Sequence, residues 1–548
     1  MAAGSVAIGH VISVGGAQVT AALSKFHAQF GDAAAEAADA AIDGDSAVRI
    51  GSLVKMRTPA STIYGIVTKL ATDVEPGPAG PVERNIADID LMGEILRGPK
   101  ANGGPSFERG VSIMPTLGVP LMATDTSDVA LVYAQPSASN VRIGTVHQDK
   151  TTPAYLMIDD LLAKHIAVLG TTGSGKSSAV ALILRKILSG HPAGHVILLD
   201  PHNEYRNAFL DLAEVIQPEN LSLPCWLLNM DEMAAVLVRG GDPADREAQL
   251  ANLRDAIVEA KRRFAGRDAD AHALTVDTPV PYRLTELIRI IDQSMGKLDK
   301  PDTSAPYLRL LARLEQINSD KRYAFMFSGL LVRDTMPAVM SRMLRIPVRG
   351  KPLTIVDLSG VPSEIVDVVV SVVARMVFDF ALWAERDRRP PIMLVCEEAH
   401  RYIPEQDLGE SFLSTKRALS RIAKEGRKYG VSLCLVTQRP SELSSTVVSQ
   451  CGTLFALRMN NHKDQRFVEA AMPENGLGLL AALPALRRQE AVVVGEGVSV
   501  PMRLRFDTLP PEHLPRSGDA PFAEAWSKET VDPSFVLDSI TRWRRQQR

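Results

Sequence analysis

The chain has 548 residues, a net charge of −3, and 45% hydrophobic against 23% charged residues. That length exceeds a single compact core, so several domains are expected, and the balanced composition excludes a disordered or fibrous chain. The near-neutral charge excludes a uniformly basic nucleic-acid binder but leaves room for a basic surface confined to one channel.

Short β-like runs dominate residues 1–152. Val6 to Leu23 reads as two strands around Gly15-Gly16, and similar runs recur at Ala47–Met56, Ser61–Leu70, Ile89–Ile95 and Val129–Tyr133. Turn-forming clusters at Pro76–Pro81 and Pro99–Pro105 separate some of them, and the Ala-rich stretch Asp32–Asp43 reads as a short helix or a flexible loop. Several short strands with turns between them predict a small β-barrel or sandwich.

From residue 153 to 243 the pattern changes to strands alternating with helices. The strand Ile166–Leu169 leads through a glycine-rich loop to the helix Ala179–Ile187 and then to the strand Val196–Leu199. Residues 244–345 lose the strand signal, and Gln249–Phe264, Tyr282–Lys297 and Pro306–Ile317 have helical spacing, so this segment reads as a helical insertion. Strands resume in 346–510 at Leu353–Leu358, Ile392–Val395, Ser432–Thr437, Thr453–Leu457 and Ala491–Val494. Continuous apolar strands joined by helices predict a mostly parallel sheet covered on both faces. The tail, 511–548, is Pro-rich and polar, with one helix from Ser534 to Arg545.

Cys225, Cys396, Cys434 and Cys451 are widely spaced and mostly within apolar runs. They read as small buried hydrophobes in a reducing compartment, not as a disulfide framework or metal site. The most apolar helix, Ile365–Trp383, carries Asp367, Arg375 and Asp379, which a bilayer would disfavour. With no signal-peptide pattern at the N-terminus, a cytoplasmic protein without a membrane partner is expected.

The strongest chemical signal is Gly170-Thr171-Thr172-Gly173-Ser174-Gly175-Lys176-Ser177, followed by Ser178. Between a strand and a helix, this is the phosphate-binding P-loop pattern. Glycines let backbone amides turn toward the phosphates, and the helix N-terminus adds its positive dipole end. Lys176 reaches the β- and γ-phosphates and Ser177 offers a hydroxyl to Mg²⁺, so ATP and Mg²⁺ are the expected ligands.

A P-loop needs a second acidic element, and the strand ending Cys396-Glu397-Glu398-Ala399-His400 supplies one. Glu397 is the candidate for ordering Mg²⁺ and Glu398 for taking a proton from the attacking water. Gln438, after the strand Ser432–Thr437, is placed to sense the γ-phosphate. In Asp200-Pro201-His202-Asn203-Glu204-Tyr205, the polar groups Asp200, His202 and Glu204 follow another strand end and are expected to face the crevice. There Asp200 and Glu204 either position water or metal, or pair with Arg206. The basic run Lys416, Arg417, Arg421, Lys424, Arg427 and Lys428 reads as a solvated helix face or as a phosphate-contacting channel. Arg427 is the candidate arginine finger for a neighbouring subunit, and Arg458 is a second finger or sensor candidate.

These motifs, with Glu-Glu-Ala-His-Arg-Tyr-Ile-Pro, Glu-Gly-Arg-Lys-Tyr-Gly-Val and Thr-Gln-Arg-Pro, resemble the HerA family of hexameric ATPases, relatives of FtsK-type DNA pumps. The resemblance runs from about residue 6 to about residue 510. It implies a HAS barrel, a RecA-like α/β motor core with a helical insertion, a homo-hexameric ring and ATP-driven translocation of double-stranded DNA. It also implies a separate partner, either a NurA-like nuclease or an anti-phage defence effector. By position, Lys176 and Ser177 bind ATP and Mg²⁺, Glu398 is the base, Gln438 the sensor and Arg427 the trans-acting finger. Glu397 stands where the family usually has Asp, and Asn203 where relatives often have Gly. Two rival readings are a partner-gated ATPase scaffold for an effector and a secretion-type ATPase that moves protein.

Overall fold

A computed structural model describes residues 7–24, 48–77, 80–97, 106–238, 240–265, 274–296, 304–328, 333–406, 413–471, 477–516, 522–527 and 532–545. The Ala-rich stretch Asp32–Asp43 lies outside these residues, as does Pro99–Pro105. The described chain forms two compact units, one of residues 1–190, 437–441 and 448–509, the other of residues 191–436, 442–447 and 510–548.

The first unit opens with β1 (Ala7–Val14), β2 (Gln18–Leu23), β3 (Leu53–Arg57), β4 (Ser61–Gly77), β5 (Gly80–Leu96), β6 (Glu108–Arg109) and β7 (Pro120–Ala123). Antiparallel pairing runs β2-β1-β7-β3-β4-β5, and β5 returns to β2 with Val19 opposite Ile89, so six strands close into a barrel. Its interior is filled by Val11, Val19, Met56, Ile63, Val67, Ile89 and Leu121, which alternate with outward residues as the two-residue strand period requires.

Val129–Tyr133, expected as a strand, instead belongs to the helix Thr126–Val132. The reason lies just upstream. Asp125 accepts from the amides of Ser127 and Asp128, while the Asp128 carboxylate accepts from the Asp125 amide, a reciprocal cap that starts a helix despite the β-branched residues that follow. Asp128 is also buried against Lys55 Nζ at 2.5 Å and the Tyr64 hydroxyl at 2.8 Å, which ties this helix to the barrel strands.

The remaining strands are β8 (Asn140–Val146), β9 (Pro153–Met157), β10 (His165–Leu169), β11 (Val196–Asp200), β12 (Ala213–Ile216), β13 (Leu353–Asp357), β14 (Ile392–Cys396), β15 (Val431–Thr437), β16 (Cys451–Leu457), β17 (Glu490–Gly495) and β18 (Met502–Phe506). In the first unit β10 and β16 pair in parallel, whereas β16-β17-β18-β8-β9 is antiparallel throughout. That half departs from the mostly parallel expectation because short turns, not crossover helices, join β17 to β18 and β8 to β9. In the second unit β12-β13-β11-β14-β15 is wholly parallel, and β11, β13, β14 and β15 are buried along their whole length. The strands β7, β8, β9, β12 and β18 had no counterpart in the apolar-run reading.

Between Pro243 and Leu344 the described residues hold helices and no strands, the longest being Pro243–Ala265, Ala305–Ser319 and Leu284–Met295. The apolar helix Val366–Trp383 buries Arg375 against the fully buried Glu232, with Nη2–Oε2 at 2.8 Å and Nε–Oε1 at 3.0 Å. Ser371 and the Leu227 carbonyl complete that network. Among the described residues no helix is long and apolar enough to cross a membrane.

Lys261, 1% exposed, donates through Nζ to the carbonyls of Val276 and Thr278, both at 2.6 Å. Burial lowers its ammonium from 10.5 to about 8. Between those values the unfolded chain holds a proton that the folded chain has released, so folding stability rises with pH across that window. The thermal midpoint of the wild-type protein is therefore expected to gain on that of Lys261→Met from pH 8 to pH 10; parallel curves would refute the assignment.

Candidate functional site

In the first unit the P-loop is built by steric necessity. A Cβ on Gly170 would lie 2.8 Å from Leu457 Cβ and 2.8 Å from Ser174 Oγ, so only glycine lets the loop leave β10 beside β16. Gly173 and Gly175 have φ of +72° and +99°, backbone that side-chain-bearing L-residues avoid. The loop then satisfies its own polar atoms. Ser174, fully buried, donates through Oγ to the Thr171 carbonyl at 2.7 Å, and Lys176 Nζ donates to the same carbonyl at 3.0 Å. Lys176 thus rests on its own loop, one side-chain rotation from the space above the amides.

Two other candidates join this loop. Thr171 donates through both its amide and its hydroxyl to the Arg458 carbonyl, each at 3.0 Å. Among the described residues the buried Arg458 Nε has no hydrogen-bond partner, an unused donor beside the P-loop. Gln438 accepts from the Thr172 hydroxyl, and the Gly170 amide donates to the Thr437 carbonyl at 3.3 Å. Ser177 and Ser178 lie in the first turn of the helix Lys176–Gly190, whose N-terminal end carries the positive end of the helix dipole.

In the second unit, Asp200 is fully buried and serves its own turn. Its carboxylate accepts from the amides of His202 (3.3 Å), Glu204 (3.1 Å) and Tyr205 (3.0 Å). Burial holds this carboxyl above the usual range despite the three amides. The turn needs left-handed backbone at Asn203 (φ +55°), a conformation Asn tolerates, which accounts for a residue that can stand in for glycine there. His202 is exposed and Glu204 half-buried. The turn delivers Tyr205, whose hydroxyl donates to Glu397 Oε2 at 2.8 Å.

Glu397 and Glu398 are both buried at the end of β14, and Glu398 has φ of +54°. A left-handed glutamate costs about 1–2 kcal/mol, strain that marks a backbone held for a purpose. Its carboxylate lies 3.2 Å from His400 Nδ1. The motif reading missed Asp357, a buried carboxylate that ends β13 directly opposite Asp200 in register. Its signal was available, since it closes an apolar strand just as Asp200 and Glu397 do.

The basic run divides. Arg417 pairs with Asp231 at 2.7 Å, and Arg421 lies 3.5 Å from Asp379 with its guanidinium 4.4 Å from the Phe378 ring centroid. Lys416 is half-buried and Lys424 exposed on the same helix, Leu413–Glu425. Arg427 follows in the turn Gly426–Tyr429, exposed, with no ion pair or side-chain hydrogen bond among the described residues. Of the polar segment Pro404–Thr415, residues 407–412 lie outside the described residues. Among the described residues no cluster of three or more His, Cys, Asp or Glu could hold a metal by itself. A P-loop does not need one, because its hydroxyl and the substrate phosphates supply most ligands.

The family model for the central domain of helicase HerA matches residues 141–377. The chain is 27% identical to a DNA double-strand break repair helicase HerA of Pyrococcus furiosus, over 81% of this chain and 82% of that one. It is 25% identical to a probable helicase of Methanocaldococcus jannaschii, over 82% and 80%. Among solved structures, VirB4 of Thermoanaerobacter pseudethanolicus aligns at 18% identity and a TM-score of 0.49, covering 69% of this chain and 98% of that one.

Alanine at position 175 meets the φ of +99° with a penalty of about 1–2 kcal/mol that works against the binding shape of the loop. Gly175→Ala is expected to weaken ATP binding about tenfold. Gly190→Ala, at a position with open space around its Cβ, should leave it unchanged. Calorimetric titration of both variants checks the contrast.

Proposed function

This chain belongs to the HerA family, and on that premise we propose that it is a ring-forming ATPase that hydrolyses ATP to translocate double-stranded DNA. The observation that carries this reading is the likeness to DNA-repair helicases along about four-fifths of both chains. The P-loop fits a nucleoside triphosphate on its own evidence, with two left-handed glycines, a lysine parked on a loop carbonyl and an orphaned Arg458 donor.

In the proposed mechanism the amides of residues 173–178 cradle the phosphates, and Lys176 exchanges its bond to the Thr171 carbonyl for the β- and γ-phosphate oxygens. Mg²⁺, when bound, neutralises charge on those oxygens; Ser177 is its candidate ligand, and Glu397, steadied by Tyr205, the candidate for ordering its water shell. Glu398 takes the proton of a water attacking the γ-phosphorus; the bond from that phosphorus to the bridging oxygen breaks, releasing ADP and phosphate. His400 and the fixed left-handed backbone hold that carboxylate in place. Gln438 responds to the γ-phosphate through Thr172, its hydrogen-bond partner in the loop.

Arg427, exposed and unengaged, is the finger offered to a neighbouring copy in a homo-hexamer. Lys416, Arg417, Arg421 and Lys424 are the proposed DNA-phosphate contacts. The exposed pair Arg417–Asp231 is worth no more than about 1 kcal/mol, so a phosphate can replace the aspartate. A NurA-like nuclease or a defence effector is the proposed partner, on the family pattern. Asp200, with three amides on its carboxylate, builds the turn that presents Tyr205.

Linear double-stranded DNA is expected to stimulate ATP hydrolysis, and Lys176→Ala to abolish it. Glu398→Gln should lower kcat by at least about a hundredfold while retaining ATP binding. Arg427→Ala alone should be similarly inactive. A mixture of Arg427→Ala with Glu398→Gln should recover activity, because some sites then combine an intact base with a neighbour's intact finger. Hydrolysis indifferent to DNA would overturn the translocase reading, and full activity of Arg427→Ala would overturn the finger.

A further inference from the structure

The turn before β17 lies against the P-loop within the first unit. The Gln489 amide nitrogen is 3.6 Å from the position a Cβ on Gly175 would take. Gln489 has φ of +66°, a conformation neither glycine nor asparagine explains here. The surrounding structure enforces it. Phe506 donates its amide to the Gln489 carbonyl at 2.9 Å. The buried Glu490 carboxylate accepts from the Arg487 amide at 3.1 Å and from Arg503 Nη2 at 2.7 Å. A largely buried ion pair and a strained residue therefore fix the turn Arg487–Glu490, in which the Arg487 and Arg488 side chains are exposed. Neither guanidinium has an ion pair or side-chain hydrogen bond among the described residues.

We propose that Arg487 and Arg488 contact the nucleoside part of the bound nucleotide, its ribose and purine face. This deepens the ATP-binding reading and rests on it. Gly175 immediately precedes Lys176, Ser177 and Ser178, whose amides open the helix at the phosphate chain. In this proposal the sugar and base follow the phosphate chain and lie beside the turn packed on Gly175. A planar guanidinium stacks on an aromatic face and donates to ribose hydroxyls, so it matches that moiety in shape and polarity. Strain of about 1–3 kcal/mol at Gln489 is the kind retained where a backbone must hold functional groups in one place.

The test compares binding of ATP and of inorganic tripolyphosphate to the full chain by calorimetry, for wild type, the double variant Arg487→Ala/Arg488→Ala, and Lys176→Ala. The double variant should bind ATP about tenfold more weakly and tripolyphosphate as wild type does, with an unchanged thermal midpoint. Unchanged ATP affinity, or equal weakening for both ligands, overturns the nucleoside contact while leaving the P-loop reading intact. If Lys176→Ala weakens neither ligand, the P-loop reading fails and this inference with it.

Discussion

Parallel strands buried on both faces can present polar groups only where they end, and the chain must turn sharply at those ends. The P-loop, the Asp200 turn and the Glu397–Glu398 pair follow from that constraint. β10 ends in the P-loop, β11 in the Asp200 turn and β14 in the Glu397–Glu398 pair, and each exit includes left-handed backbone at Gly173 and Gly175, Asn203 or Glu398. Glycine meets the demand without strain and asparagine nearly so; glutamate does not. The same local geometry thus carries different costs at different strand ends, and the most costly residue is the proposed base, Glu398.

Removing charge from water imposes a second order on the molecule. Asp200 is surrounded by amides, Arg375 meets Glu232 and a carbonyl, Lys55 meets Asp128, which also accepts from a phenol, and Lys261 meets two carbonyls. The Arg375–Glu232 and Lys55–Asp128 pairs join elements far apart in sequence, and a buried ion left without its partner is far more costly than the pair. Such pairs specify which elements meet, where the apolar core alone would tolerate several packings. The charges that made Val366–Trp383 a poor membrane span are thus part of its docking: Arg375 reaches back to Glu232, 143 residues earlier.

The motor core was legible because its signals are local. An apolar run with a glycine-rich exit has few other meanings, and β10, β11, β13, β14 and β15 lie within a residue or two of the runs that announced them. The strands β7, β8 and β12 were not legible, since β8 and β12 lack a continuous apolar run and all three pair with distant chain. Val129–Tyr133 shows the complementary error: β-branched residues suggested a strand, and the cap at Asp125 decided otherwise. At the site, residue types were readable and their engagements were not. Nothing in the order of residues tells that Asp200 is occupied by its own turn, that Tyr205 reaches Glu397, or that Gln489 leans on Gly175.

Closure of the barrel has a consequence for any arrangement that brings several copies of this chain side by side. Identical strands held at high local concentration tend to pair edge to edge, because an open sheet leaves a row of amides and carbonyls unfilled. The β2–β5 ladder fills that row, with Ala22 through Gln18 set against Ile86 through Asp90. Along that seam the barrel can therefore be crowded against its own copies without offering them a template for runaway strand exchange. Recognition on its outer wall is left to side chains, which can be selective in a way that bare backbone cannot.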